Sequence, residues 1–146
     1  MRNLMFLIFA LFGTSANASD VIIHGGLEIE VPVKVQPCKR DPDAVVAFPV
    51  IRNVSQRDDY LLFSESNGAQ FIETHIHPIY DDESSNTDST ETKAKHRNKT
   101  VKLAANNEYD FKEMDTHLML HKPTTYKMTV SMCFLKAKCV DVPVQF

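Results

Sequence analysis

The stretch Asp115–His121, DTHLMLH, alternates with a period of two. His117, Met119 and His121 fall on one side of the alternation, and Leu118 and Leu120 on the other. Successive side chains of a β-strand point to opposite faces, whereas a helix would spread these residues around its axis. The stretch therefore predicts a strand with leucines packed on a core. Two imidazoles and a thioether lie on its other, solvated face.

The same period recurs on both sides of it. Tyr126–Phe134 puts Met128, Val130, Met132 and Phe134 on one face, and Val140, Val142 and Val144 repeat the pattern to the end. Val31–Val35 alternates upstream. Val45–Ile51, VVAFPVI, is a continuous apolar run, and Pro49 in it marks an edge or a bulge because proline cannot donate to a ladder. A polar turn over Asn53–Asp59 leads to a short strand at Tyr60–Phe63. A second turn at Ser64–Gly68 precedes an extended segment at Gln70–Tyr80. Thr100–Leu103 and Tyr109–Phe111 read as short strands about the turn Ala105-Asn106-Asn107. No amphipathic helix longer than a turn or two and no internal repeat interrupts this. Short strands with turn signals about every eight to twelve residues predict an antiparallel β-sandwich or barrel.

The chain has 146 residues, enough for one domain with a proper core. Arg2, the apolar run Leu4–Phe12 and the small-x-small site Ala16-Asn17-Ala18 form a secretory leader. The run falls short of the roughly 20 residues that span a bilayer. The expectation is therefore a leader over 1–18 cleaved after Ala18, followed by one domain over 19–146. That domain is exported to the periplasm and not inserted in the membrane. The segment 81–95, DDESSNTDSTETKAK, has one alanine and no large apolar residue, so it is expected to be a flexible acidic loop.

The formal charge is −3 and there is no tryptophan and no basic patch, which argues against nucleic acid as a partner. Four glycines in all leave no phosphate-binding loop. In an oxidising compartment Cys38, Cys133 and Cys139 favour one disulfide and one leftover thiol. Cys133 and Cys139 share strand parity about a turn near Lys136-Ala137, which allows a cross-strand bond between them. Cys38 is then a free thiol, a link to another chain, or a metal ligand. Asn53 and Asn98 each begin a glycosylation sequon.

Six histidines carry the chemistry, and they concentrate in ETHIHP and THLMLH. His75 and His77 share one strand face with Ile76 opposite. Residues at i and i+2 of a strand lie about 7 Å apart, so two such pairs can converge on one ion. Imidazole binds zinc and copper, and thioether sulfur favours Cu(I). Met128 and Met132 read instead as packing. His24 lies near the start of the exported chain, where weak order is expected.

From about Val45 to the end, the chain resembles the periplasmic copper chaperones of the PCuAC type. VVAFPVIRNVSQRDDYLLFSES is similar to that family's strand, turn and following strand. FIETHIH is similar to the segment carrying its first histidine. VKLAANNEYDFKEMDTHLML resembles the approach to its His-x-Met, and YKMTVSMCFLKAKCVDVPV its closing hairpin. The resemblance implies a cupredoxin-like antiparallel β-sandwich of Greek-key type. It also implies a copper site made of His75, His117 and Met119.

The family has a methionine between its two histidines, but here no methionine occurs between Met5 and Met114. His96, in KHRNKT, is the expected replacement, and His77 and His121 are spare donors. A site so rich in imidazole fits Cu(I) or Cu(II), with Zn(II) as a second candidate. The implied activity is not enzymatic. It is delivery of copper to an acceptor cuproprotein, such as a copper-bearing subunit of cytochrome oxidase.

The alternative is an exported β-sandwich adaptor whose metal site has degenerated. A zinc enzyme with three histidines and an open position would also need a general base, and spacing singles out neither Asp115 nor Glu73.

Overall fold

The structure is a computed structural model that describes residues 19–76, 99–124 and 127–146. Residues 1–18, expected as a leader, and 81–95, expected as an acidic loop, lie outside the described residues. Within them the strands are β1 (Asp20–His24), β2 (Leu27–Val31), β3 (Val33–Pro37), β4 (Ala44–Ala47), β5 (Val50–Asn53) and β6 (Asp59–Glu65). Then follow β7 (Phe71–Ile76), β8 (Val101–Leu103), β9 (Asn107–Asp110), β10 (Thr116–His121), β11 (Lys127–Phe134) and β12 (Lys138–Gln145). No helix occurs among the described residues.

Two sheets enclose the core. One has the order β1-β2-β5-β9, the other β7-β10-β4-β3-β12-β11-β6-β8. All pairs are antiparallel except β3 with β12, which is parallel. Leu27, Ile29 and Ile51 of the smaller sheet pack with Leu118, Leu120, Val130, Met132 and Val142 of the larger one. The expected β-sandwich is therefore present, and the alternating stretches read as expected. Leu118 and Leu120 are buried, as are Met128 and Met132.

Two expectations are corrected. Val45–Ile51 is not one edge or bulged strand. It breaks at Phe48-Pro49 into β4, which lies between β10 and β3 of the larger sheet, and β5, which lies inside the smaller one. The apolar run is continuous because β4 is buried on both faces. His24 is not in a weakly ordered terminus. It ends β1 and pairs with Leu27 across a Gly25-Gly26 turn. Gly25 has φ +56, and a Cβ there would sit 2.6 Å from Ala137, so this turn needs glycine both for its left-handed backbone and for its packing.

The far hairpin, β11–β12, is fastened twice. Cys133 and Cys139 stand opposite each other and form the disulfide that their parity allowed. Asp59 is buried, and its carboxylate accepts N–H bonds of 2.8 Å from both Lys136 and Ala137. Cys38 carries a free thiol in the turn between β3 and β4. Asn53 is fully buried, and its Nδ2 donates to the carbonyls of Arg57 and Leu103, so its sequon is sealed inside the fold.

Candidate metal centre

β10 sits between β7 and β4, and its register decides which side chains meet. A left-handed residue bounds it at each end, Asp115 at φ 51 and Lys122 at φ 48, so the alternation runs unbroken from Thr116 to His121. Across the ladder to β7, His117 faces His75, Met119 faces Glu73, and His121 faces Phe71. The intervening pairs, Leu118 with Thr74 and Leu120 with Ile72, are buried on the core side. His117, Met119 and His121 thus share one face with Phe71, Glu73 and His75.

The two imidazoles expected to be ligands come together. The ring centres of His75 and His117 are 5.0 Å apart and inclined at 59°. Two imidazoles that bind one ion at about 2.0–2.1 Å, at a near-tetrahedral angle, have ring centres about 5 Å apart. The pair therefore has the spacing of a shared ion. Phe48, just after β4, also lies near His117, with ring centres 6.1 Å apart. Met119 is one step along the same face, half-buried and paired in register with Glu73.

Glu73 stands at the middle of the face, where the sequence had offered it only as a candidate base. Its Oε2 is 3.1 Å from Nε2 of His75 and 3.2 Å from Nε2 of His121. A carboxylate only accepts, so both ring nitrogens donate. Burial pushes the Glu73 carboxyl up, but the bonds from the two histidines and their charge outweigh it and hold it below the ordinary glutamate value.

His121 is held on its remaining sides. Its Nδ1 lies 3.7 Å from an Asp41 oxygen, and its ring stacks on Phe71 at 4.1 Å and 18°. It is brought to the same face as His75 and His117, but with both nitrogens turned toward carboxylates. Sequence parity within Glu73-Thr74-His75 puts Glu73 on the His75 face. Asp41 reaches the site from the β3–β4 turn and left no local signal.

His77 and His96 lie outside the described residues. Among the described residues, no three His, Cys, Asp or Glu side chains form a metal-binding group. The donors gathered there are two imidazoles and one thioether. Such a set suits a soft or borderline ion, and copper fits it.

No protein-family model matches the chain, and no curated protein matches it. Solved structures do. The copper-bound PCuAC domain from PmoF2 superimposes with a TM-score of 0.62 at 15% identity, covering 86% of this chain and 96% of that one. The apo PCuAC domain from PmoF1 superimposes with a TM-score of 0.64 at 13% identity, covering 87% of this chain and 98% of that one. At such identities the likeness is one of architecture, and it spans nearly the whole of both domains. The chain has the cupredoxin-like β-sandwich fold of the PCuAC domains.

Proposed function

We propose that this chain is an exported copper-binding protein that hands its ion to an acceptor cuproprotein. The observation that carries the reading is the direct apposition of His75 and His117 at the spacing of a shared ion, with Met119 on the same face. The fold shared with a copper-bound PCuAC domain supports it. The leader-like residues 1–18 support a periplasmic location.

Copper is the cargo, held by the imidazoles of His75 and His117 and the thioether of Met119. β7 is the terminal strand of the larger sheet among the described residues, which places His75 and His117 near one end of the strand order. Transfer proceeds by ligand exchange. The acceptor's donors enter as Met119, the softest and least basic donor, leaves. This needs no general base and no enclosed substrate cleft. A copper-bearing subunit of cytochrome oxidase has the chemistry of such an acceptor.

His96 completes the set in this reading. The chain returns to the sheet at Lys99, whose N–H donates to the Thr74 carbonyl, next to His75. His96 is three residues before Lys99, and three residues reach about 10 Å. With His96 the donors are three imidazoles and one thioether, which accommodates Cu(II) as well as Cu(I) and admits Zn(II). His77, two residues after His75 in the sequence, is a further candidate donor.

The adaptor reading draws on one observation, the lack of a third His, Cys, Asp or Glu ligand among the described residues. Titration of the exported protein with Cu(I), Cu(II) and Zn(II), beside a His96→Ala variant, separates the two. Tight binding that weakens in the variant supports the copper carrier. Binding no tighter than that of scattered surface histidines supports the adaptor.

A further inference from the structure

We propose that Glu73 is the positioning residue of the copper site. Its carboxylate holds the His75 ring in the Nε2–H form so that Nδ1 is the basic nitrogen, and His121 holds the carboxylate in place from the other side. This rests on the copper-binding reading and adds to it a residue that is not itself a ligand.

Glu73 is only 8% exposed, yet its carboxyl stands between two imidazoles. A buried carboxylate persists where hydrogen bonds replace its lost water, and here two imidazole N–H groups do so on one oxygen. Both donors stand on the face that carries His117 and Met119. A purely structural ion pair has no need to engage the very ring that faces His117. The second donor, His121, is fixed in turn by Phe71 stacked on its face and by Asp41 beside its Nδ1. The order of support runs from Phe71 and Asp41 to His121, then to Glu73, then to His75.

The consequence for metal capture is electronic as well as geometric. A histidine that donates its distal N–H to a carboxylate is fixed in orientation, and its other nitrogen becomes a stronger donor. Losing such a carboxylate lowers metal affinity by about ten- to a hundredfold. His121 in this arrangement is a buttress and not a ligand, because both of its nitrogens face carboxylates.

The test uses Glu73→Ala, Glu73→Gln, His121→Ala and His75→Ala. In the metal-free protein at mildly alkaline pH, nitrogen NMR of the rings should find His75 protonated at Nε2, with a proton slow to exchange. Glu73→Ala should leave a mixture of tautomers with fast exchange. Cu(I) affinity, read by competition with a chromophoric chelator, should fall about ten- to a hundredfold in Glu73→Ala. It should fall less in Glu73→Gln, whose amide oxygen still accepts but lacks the charge, and less again in His121→Ala.

Unchanged tautomer and unchanged affinity in Glu73→Ala, with binding lost in His75→Ala, overturn the role of Glu73 and leave the copper reading standing. Unchanged affinity in His75→Ala overturns the copper reading itself. If Glu73→Ala does not fold, Glu73→Gln decides: a several-fold loss of affinity supports the role, and none overturns it.

Discussion

His75 and His117 stand directly opposite each other across the β7–β10 ladder, with ring centres 5.0 Å apart. The relationship is a product of register. A slip of one residue between these strands would turn every imidazole of one strand into the core and every leucine or isoleucine out. Leu118 and Leu120, packed on the core side of β10, forbid that slip. The burial that holds the sandwich together therefore also fixes the candidate site.

In the proposed site Met119 is the donor that would distinguish Cu(I) from harder ions. Replacing it by Leu keeps its volume and removes its sulfur. Cu(I) affinity should fall by roughly tenfold or more, about 1.4 kcal/mol, while Cu(II) affinity changes little. Parallel competition titrations of the two oxidation states check this. Equal losses for both ions, or no loss for Cu(I), would contradict a thioether ligand.

Asp59 fastens the β11–β12 turn from across the sheet. Asp59→Ala leaves the buried N–H of Ala137 and the part-buried N–H of Lys136 without their acceptor. An unpaired buried donor costs about 1–3 kcal/mol, so a loss of about that size is expected in urea unfolding. Copper affinity should hold, because this turn belongs to strands remote in sheet order from β7 and β10.

Asp58 gives a stability term with a defined direction in pH. Its carboxyl is held below the ordinary aspartate value by the Lys102 ammonium, 2.9 Å away, and by the Ala105 N–H. A carboxyl whose folded pKa is depressed contributes stability above its unfolded pKa, about 3.9, and loses it as pH falls through the lower folded value. Asp58→Asn should therefore be slightly less stable near neutral pH, and its stability should fall less steeply in acid. The group is exposed, so the effect is small. Unfolding curves at a series of pH values check it. An unchanged acid slope would show that the pair does not couple to folding.

Most of the fold was legible because the strands alternate. THLMLH carries β10 from its first residue to its last, and the methionine-and-valine faces of β11 and β12 read the same way. What the sequence misled on was β4 with β5, where one apolar run serves two sheets. Only the turn at Phe48-Pro49 and burial of both faces of β4 reveal that. The β1–β2 hairpin was missed, although Gly25-Gly26 marks its turn.

The candidate site divides in the same way. His117, Met119 and His121 followed from parity within one strand, and the pairing of His75 with His117 followed from no local pattern. Glu73 was visible only as a candidate base, because its partner His121 is far along the chain. Asp41 comes from a turn that nothing in the sequence links to β10.

The most direct test of the copper reading is Cu(I) affinity in His75→Ala, His117→Ala and the double variant. Each single variant should weaken binding at least tenfold, about 1.4 kcal/mol. The double variant should lose little more than either single one, because the two imidazoles act on one ion. Additive losses, or single variants that bind as the unaltered protein does, would contradict a shared copper site at this pair.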